Sequence, residues 1–257
     1  MHSIGIVGVG DLTEKVVIGL RTSGYEGAIL LSPRNAEKAR VLAQQHRCEV
    51  METNQAVVDG ADVVFIGVRP EQVAALAGDV TLRPEQPVLS LLAGVKTHDL
   101  STLFPQARCL RLMLSYAAQY NHSTVVIHPP APTLHPLLER LGTLVPVEDE
   151  AAFEVATVAA CMNGWVYFLA HGLQQWLVEQ GLDPAQARTL ALSNVQDCIV
   201  SAQHRPDASL KSMGEAIATP GTYTAAGLEV LESKGAVSAW KEACEHVLNR
   251  LLQQQRQ

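Results

Sequence analysis

Near the C-terminus lies a stretch whose residue types suit a small anion: Thr219-Pro220-Gly221-Thr222-Tyr223-Thr224-Ala225-Ala226-Gly227-Leu228. Pro220 and Gly221 impose a turn, and Thr222 or Thr224 is placed to cap the Ala-rich helical pattern that runs to about Lys234. A helix start of this kind leaves backbone N–H groups and a positive dipole end facing the loop, which suits a carboxylate. At the other end of the chain, Gly8-Val9-Gly10 closes an apolar run and opens a helical pattern from Asp11 to Arg21. That strand–turn–helix order is the context a dinucleotide fingerprint requires, with Gly8 for the tight turn and Gly10 for close approach of a pyrophosphate. The third glycine of the fingerprint is replaced by Thr13, so the helix is expected to stand slightly further from the strand. A second apolar run, Ala28 to Leu31, ends in Ser32-Pro33-Arg34. An acidic residue at this tip would bind a ribose 2′-hydroxyl; a hydroxyl and a fixed cation suit a 2′-phosphate instead, so NADPH is expected in preference to NADH.

The elements that must position these groups fall into two sets. In the first, apolar strands alternate with helices. A helix and turn from Thr53 to Asp62 feeds the strand Val63–Val68, which stops at Arg69-Pro70. A helix from Glu71 to Ala77 precedes the strand Val88–Leu92, which ends at Ala93-Gly94. Near-continuous apolar strands separated by helices predict a parallel sheet covered on both faces, with ligands outside the carboxyl ends of the strands. Gly8, Gly10, Asp11, Leu12, Ser32, Arg34, Asn54, Val68, Arg69, Pro70, Ala93 and Gly94 are the cofactor-binding candidates at that edge. Arg108 to Leu114 and Ser123 to His128 extend the sheet, and Thr143 to Val147 closes it. From Glu148 onward only helical stretches follow: one to about Gln180, one from the Asp183-Pro184 start to Gln203, one from Asp207 to Ala218, the loop helix, and Val237 to Gln254. This predicts an α/β domain over 1–148 and an all-helical domain over 149–257.

Composition narrows the function class. A net charge of −7 argues against nucleic acid or an anionic membrane as the main partner. Five scattered cysteines without Cys-x-x-Cys spacing indicate reduced thiols and a cytoplasmic setting, and the histidines show no metal-ligand spacing, so no metal is expected. Val155 to Leu173 carries no charge and approaches the length of a bilayer span. It contains Asn163, Gly164 and His171 and lacks a basic flank, which favours a helix buried by a second protein surface over a membrane span.

The ordered set of motifs resembles the pyrroline-5-carboxylate reductase family over essentially the whole chain. The stretches that carry the resemblance are Gly8-Val9-Gly10, Thr53-Asn54 through Ala61-Asp62 to Val68-Arg69-Pro70, Ser90-Leu91-Leu92-Ala93-Gly94 and Arg111-Leu112-Met113. They continue with Gly164-Trp165-Val166-Tyr167-Phe168 and end with Thr219-Pro220-Gly221 and Thr224 through Gly227-Leu228. The resemblance implies an N-terminal Rossmann domain and a helical domain interlocked with a partner chain in a homodimer, or in a higher oligomer built from it. It implies NAD(P)H-dependent reduction of a cyclic imine carboxylate to proline. It makes Thr224 the residue that hydrogen-bonds the substrate nitrogen, with backbone N–H groups from Gly221 to Thr224 holding the carboxylate. Tyr223 is a second catalytic candidate, and Thr219, Gly221, Thr222, Ser115 and Asn163 are substrate-binding candidates. The chain departs from the family at Leu114-Ser115-Tyr116-Ala117, at Cys161-Met162-Asn163-Gly164-Trp165 and at Thr222-Tyr223, all near the place where the family holds nicotinamide and substrate. Two alternatives follow from those departures: a reductase of a different imine or carbonyl compound, or a dimeric NADPH-binding protein without catalysis. An imine protonated before hydride transfer needs no strong enzyme acid, whereas a ketone does. No lysine occurs from Glu148 to Gln180, which counts against a 3-hydroxyacid dehydrogenase.

Overall fold

The computed structural model describes residues 2–254. They form two compact units, one of residues 2–160 with 251–254 and one of residues 161–250.

In the first unit the chain alternates strand and helix: β1 (Ile4–Val7), α1 (Asp11–Thr22), β2 (Ile29–Leu31), α2 (Ala36–His46), β3 (Glu49–Val50), α3 (Asn54–Gly60), β4 (Val63–Ile66), α4 (Val73–Asp79), β5 (Pro87–Ser90), α5 (Thr97–Leu103), β6 (Arg108–Met113), β7 (Ser123–His128), α6 (His135–Leu138) and β8 (Gly142–Pro146). The eight strands lie in the order β3-β2-β1-β4-β5-β6-β7-β8. The strands up to β6 are all parallel, with β1 registered on β2 through Ile4–Ile29 and on β4 through Ile4–Val63. The chain therefore reverses its direction of travel across the sheet between β1 and β4, the switch point outside which such sheets bind ligands. The apolar runs are continuous because both faces are covered. Ile4, Ile6, Val63 and Phe65 enter the core on one face with Val16 and Leu20 of α1, while Val7, Val64 and Ile66 enter the other with Val57 of α3 and Leu76 of α4.

Two expectations need correction. β7 runs antiparallel to β6, and β8 runs parallel to β7, so the sheet is only predominantly parallel. The link from Leu114 to His122 holds only a 3₁₀ turn, Tyr116–Tyr120, too short for the crossover a parallel neighbour needs. The helix expected from Glu71 begins as a 3₁₀ turn at Pro70–Gln72 and becomes α-helical only at Val73. The short edge strand β3, with both residues exposed, had no apolar run to betray it.

The helical stretches are α7 (Glu150–Glu179), α8 (Pro184–Gln203), α9 (Leu210–Ile217), α10 (Tyr223–Ser233) and α11 (Ala236–Gln254). Asp183 caps α8 by accepting the N–H groups of Ala185 and Gln186, and Ser209 caps α9 by accepting that of Ser212. In the second unit Trp165 meets Trp240 edge to face with ring centres 5.8 Å apart. Ala187 and Ala191 are the buried apolar residues of this unit among the described residues. Helix α7 is long and apolar enough to cross a membrane, and 17% of its most apolar 18-residue window is buried.

Candidate active site

The first turn after β1 is built for a close approach. Gly8 has φ +93°, and a Cβ there would lie 2.7 Å from the backbone of Gly67 and Val68, so the β1 and β4 loops touch as only glycine permits. Gly8 N–H donates to the Ser32 hydroxyl at 3.0 Å, which ties the turn to the tip of β2. Thr13 does not push α1 away as expected: its methyl occupies the space that a side chain on Gly67 would fill, since a Cβ there would stand 2.3 Å from it. The Thr13 hydroxyl accepts Gly10 N–H at 2.8 Å and reaches the Gly8 carbonyl at 3.0 Å, fixing the loop from inside. The N–H groups of Asp11 and Leu12 then lead the helix, unpaired within it, and the space a Cβ on Gly10 would enter is open. This arrangement fits a pyrophosphate. The Asp11 carboxylate is drawn aside by Lys38, whose Nζ lies 2.6 Å from it and 2.8 Å from Glu14. Hydrogen bonding to Lys38 holds the Asp11 carboxyl below its usual range. Lys38 is thus committed to joining α2 to α1.

Arg34 is not so committed. It is exposed and lines a pocket of about 230 Å³ with Gly8, Ser32, Asn54 and Val68. The amide of Gln72 lies 3.1 and 3.2 Å from its two terminal nitrogens in the orientation that turns the amide oxygen to them. Ser32 is buried (1% exposed), while Glu71 and Asp79 also line this pocket. Asn54 opens α3 directly after its cap, Thr53, which accepts Ala56 N–H at 3.0 Å. Arg69 and Pro70 are exposed on the chain leaving β4, and Ala93 and Gly94 are exposed in the turn after β5.

On the other side of the β1 turn, Leu12 and Ala93 line a smaller hollow of about 70 Å³ with Arg111, Met113, Phe153 and Thr157. Beneath it lies a polar cluster that sequence reading missed. Arg111, only 1% exposed, bonds Glu150 through Nη1 and lies 2.6 Å from Glu154, with its guanidinium 4.1 Å above the centre of the Phe153 ring. Glu150 also accepts Thr97 N–H at 2.7 Å, and His128 Nε2 stands 3.8 Å from it. Burial pushes the Glu150 carboxyl upward, but hydrogen bonding to Thr97 and the Arg111 guanidinium together outweigh this and leave it below its usual range. The available signals were an arginine inside the apolar run Cys109-Leu110-Arg111-Leu112-Met113 and two glutamates four apart at a helix start.

The C-terminal loop forms as its residues suggest. Gly221 has φ +86°, and Thr222 is the cap of α10, accepting Ala225 N–H at 3.2 Å and donating to the Thr219 carbonyl at 2.7 Å. Thr222 N–H goes to the Thr219 carbonyl as well, at 3.1 Å. Of the expected Gly221–Thr224 set, only Thr222 N–H is thereby taken up; the N–H groups of Gly221, Tyr223 and Thr224 have no acceptor among the described residues. Thr224 is exposed, and Tyr223 is fully so. The loop and α10 line an open hollow that also takes in Glu229 and Glu232. Asn163 is exposed on α7, and the Ser115 hydroxyl is engaged at the end of β6, accepting Ala117 N–H at 3.3 Å. Among the described residues no group of three His, Cys, Asp or Glu side chains is placed to hold a metal ion.

Comparison with known proteins finds two family matches in succession along the chain. The family described as NADP oxidoreductase, coenzyme F420-dependent, matches residues 3–94, and the family described as pyrroline-5-carboxylate reductase dimerisation matches residues 150–254. The pyrroline-5-carboxylate reductase of Haemophilus influenzae is 24% identical over 259 residues, covering 96% of this chain and 95% of its own. Among solved structures, the 1-pyrroline-5-carboxylate reductase of Streptococcus pyogenes superposes with a TM-score of 0.84 at 23% identity, over 97% of this chain and 98% of that one. The Plasmodium falciparum pyrroline carboxylate reductase with NADP bound gives 0.85 at 15% identity, over 99% and 98%. A dinucleotide-type turn in the first half and a match to the pyrroline-5-carboxylate reductase dimerisation family over residues 150–254 stand in that order in this chain, which is similar to pyrroline-5-carboxylate reductases from end to end.

Proposed function

We propose that this protein reduces pyrroline-5-carboxylate to proline at the expense of a nicotinamide cofactor. The observation that carries the reading is the end-to-end match to members of that family, joined to a loop whose three free N–H groups and exposed threonine hydroxyl suit an imine carboxylate. A bound nicotinamide would supply the hydride. The turn at Gly8–Leu12 would hold the pyrophosphate, with Val68, Arg69, Pro70, Ala93 and Gly94 along the same edge. The N–H groups of Gly221, Tyr223 and Thr224 would bind the carboxylate, and the Thr224 hydroxyl would bond the ring nitrogen; Thr219, Gly221 and Thr222 shape the turn. Thr224→Val removes that hydroxyl at constant volume. Its kcat/KM is expected to fall about a hundredfold, as when one preorganised donor is lost. Steady-state oxidation of NADPH with pyrroline-5-carboxylate measures this; no turnover by the unmodified protein overturns the reading.

The cofactor is NADPH in this proposal. Support comes from Arg34, exposed beside the Ser32 hydroxyl with no carboxylate at the β2 tip, although Glu71 and Asp79 line the same pocket. Arg34→Ala is expected to lower the NADPH-over-NADH preference by about 10–100-fold, the worth of one charge-assisted contact. Comparison of KM for the two cofactors decides it, and a preference for NADH in the unmodified protein would refute it.

The assembly is a homodimer through the helices after residue 148, working in the cytoplasm without membrane or nucleic acid, with the NADP-binding domain at 1–148 and the dimerisation and substrate domain at 149–257. One feature favours a second reading: Tyr223 presents a bare ring at the first helical position beside the loop donors. That ring suits a larger imine, and a substrate panel of five- and six-membered cyclic imines separates the two readings by kcat/KM.

A further inference from the structure

The cofactor cleft lies over the carboxyl ends of the strands, and Arg34 and Asn54 occupy its β2 side. A dinucleotide laid across the switch point with its adenosine there must send its other half toward β5 and β6, where Leu12, Ala93, Met113, Phe153 and Thr157 surround the small hollow. Arg111 lies at the base of that hollow. Its register partners are Ser90, the last residue of β5, and His128 of β7. Through Glu150 it reaches Thr97 and so the segment following the Ala93-Gly94 turn; through Glu154 and the face of Phe153 it holds the first two turns of α7. Those turns carry Phe153 and Thr157 to the hollow, whose remaining walls come from the turn after β5, from the end of β6 and from α1. Both Arg111 Nε and Glu154 Oε2 are buried without a partner among the described residues, so the cluster is held at some cost in unmade hydrogen bonds.

We propose that Arg111 is a positioning residue for the nicotinamide end of the cofactor: by clamping Glu150 and Glu154 it sets Phe153, Thr157 and the Ala93 turn around the ring. This rests on the nicotinamide reading above. Arg111 bonds both carboxylates through the one nitrogen Nη1 while its guanidinium plane lies over the Phe153 ring; a shorter side chain with a compact ammonium does not reproduce that reach and that stacking together, so Arg111→Lys loosens the clamp while keeping the charge.

The test is a calorimetric titration of the full chain with NADPH and, separately, with adenosine 2′,5′-bisphosphate, which occupies the adenosine half alone. Arg111→Lys is expected to weaken NADPH about tenfold, as for a misplaced contact wall, and to leave the fragment within about twofold. Glu154→Gln, which keeps the side-chain shape, is the companion variant should the lysine form not fold, and it carries the same expectation. Pairing Arg111→Lys with Thr157→Val is expected to give a non-additive loss for NADPH, because both act on one wall. Equal weakening of both ligands, or no weakening of either, overturns the proposal and leaves Arg111 as part of the fold only. Failure of the unmodified protein to bind either ligand would instead remove the cofactor reading, and this proposal with it.

Discussion

Arg111→Met is expected to destabilise the N-terminal unit by about 3–5 kcal/mol, the usual cost of removing one partner from a buried ion cluster. At about 2–4 °C per kcal/mol for a chain of this size, calorimetry at pH 7 should register a fall in Tm of roughly 10 °C. The loss is large because the side chain left behind cannot neutralise Glu154, which is as buried as Arg111 itself. Replacing the partner too, in Arg111→Met with Glu154→Leu, exchanges the ion pair for apolar packing and should recover much of the stability. Acid should close the same gap from the other side. The Glu150 carboxyl lies below its ordinary value of 4.5 in the folded chain, so its contribution is full above that value and is lost as pH falls through the folded value. The unmodified protein therefore loses stability below about pH 4.5, while the variant, which keeps the Thr97 hydrogen bonding but lacks the guanidinium's share in depressing this carboxyl, loses less. A Tm difference that stays constant from pH 7 to pH 4 would show that the cluster does not carry the charge balance assigned to it.

Much of this architecture was legible because local signals agreed with each other. Gly8 and Gly10 follow an apolar run, Asp183 precedes Pro184, and Thr222 follows a glycine; each is a short-range cause with a short-range effect, and each stands where its residue type demands. The direction of β7 was legible too, had the length of the 114–122 link been weighed against the length of a crossover. The Arg111 cluster was not, because its partners lie 39 and 43 residues away and meet it only after the sheet is built. The acidic residues at the start of α7 looked like the polar flank of an apolar helix, and nothing local distinguishes a flanking glutamate from one that will be buried against an arginine. Thr13 shows the same limit. Its departure from glycine implied looser packing, whereas the space it needs is provided by Gly67, 54 positions on.

Phe168→Asp is expected to abolish self-association. The second unit explains why. Val166, Leu169, Leu173 and Trp176 recur along α7 at helical spacing and are exposed, Phe168 is 78% exposed beside them, and Ile199, Val200, Val230 and Leu231 are bare on α8 and α10. A unit of this size with so little apolar surface of its own covered cannot offset the entropy of ordering its chain, so another surface must cover it. The dimerisation match over residues 150–254 assigns that surface to another copy of this chain. Covering one large side chain contributes about 1.5–3 kcal/mol, and in a two-fold assembly each substitution occurs twice. A carboxylate at this position would also have to give up its water without a partner. The apolar loss alone is then about 3–6 kcal/mol, a large part of the roughly 8 kcal/mol that a Kd of 1 μM represents, and the two stranded carboxylates add to it. Size-exclusion chromatography with light scattering should find the unmodified chain as a dimer or a larger assembly and the variant as a monomer with lowered Tm. If the variant keeps its mass, α7 does not lie in the interface, and the exposed stripe needs a different cover.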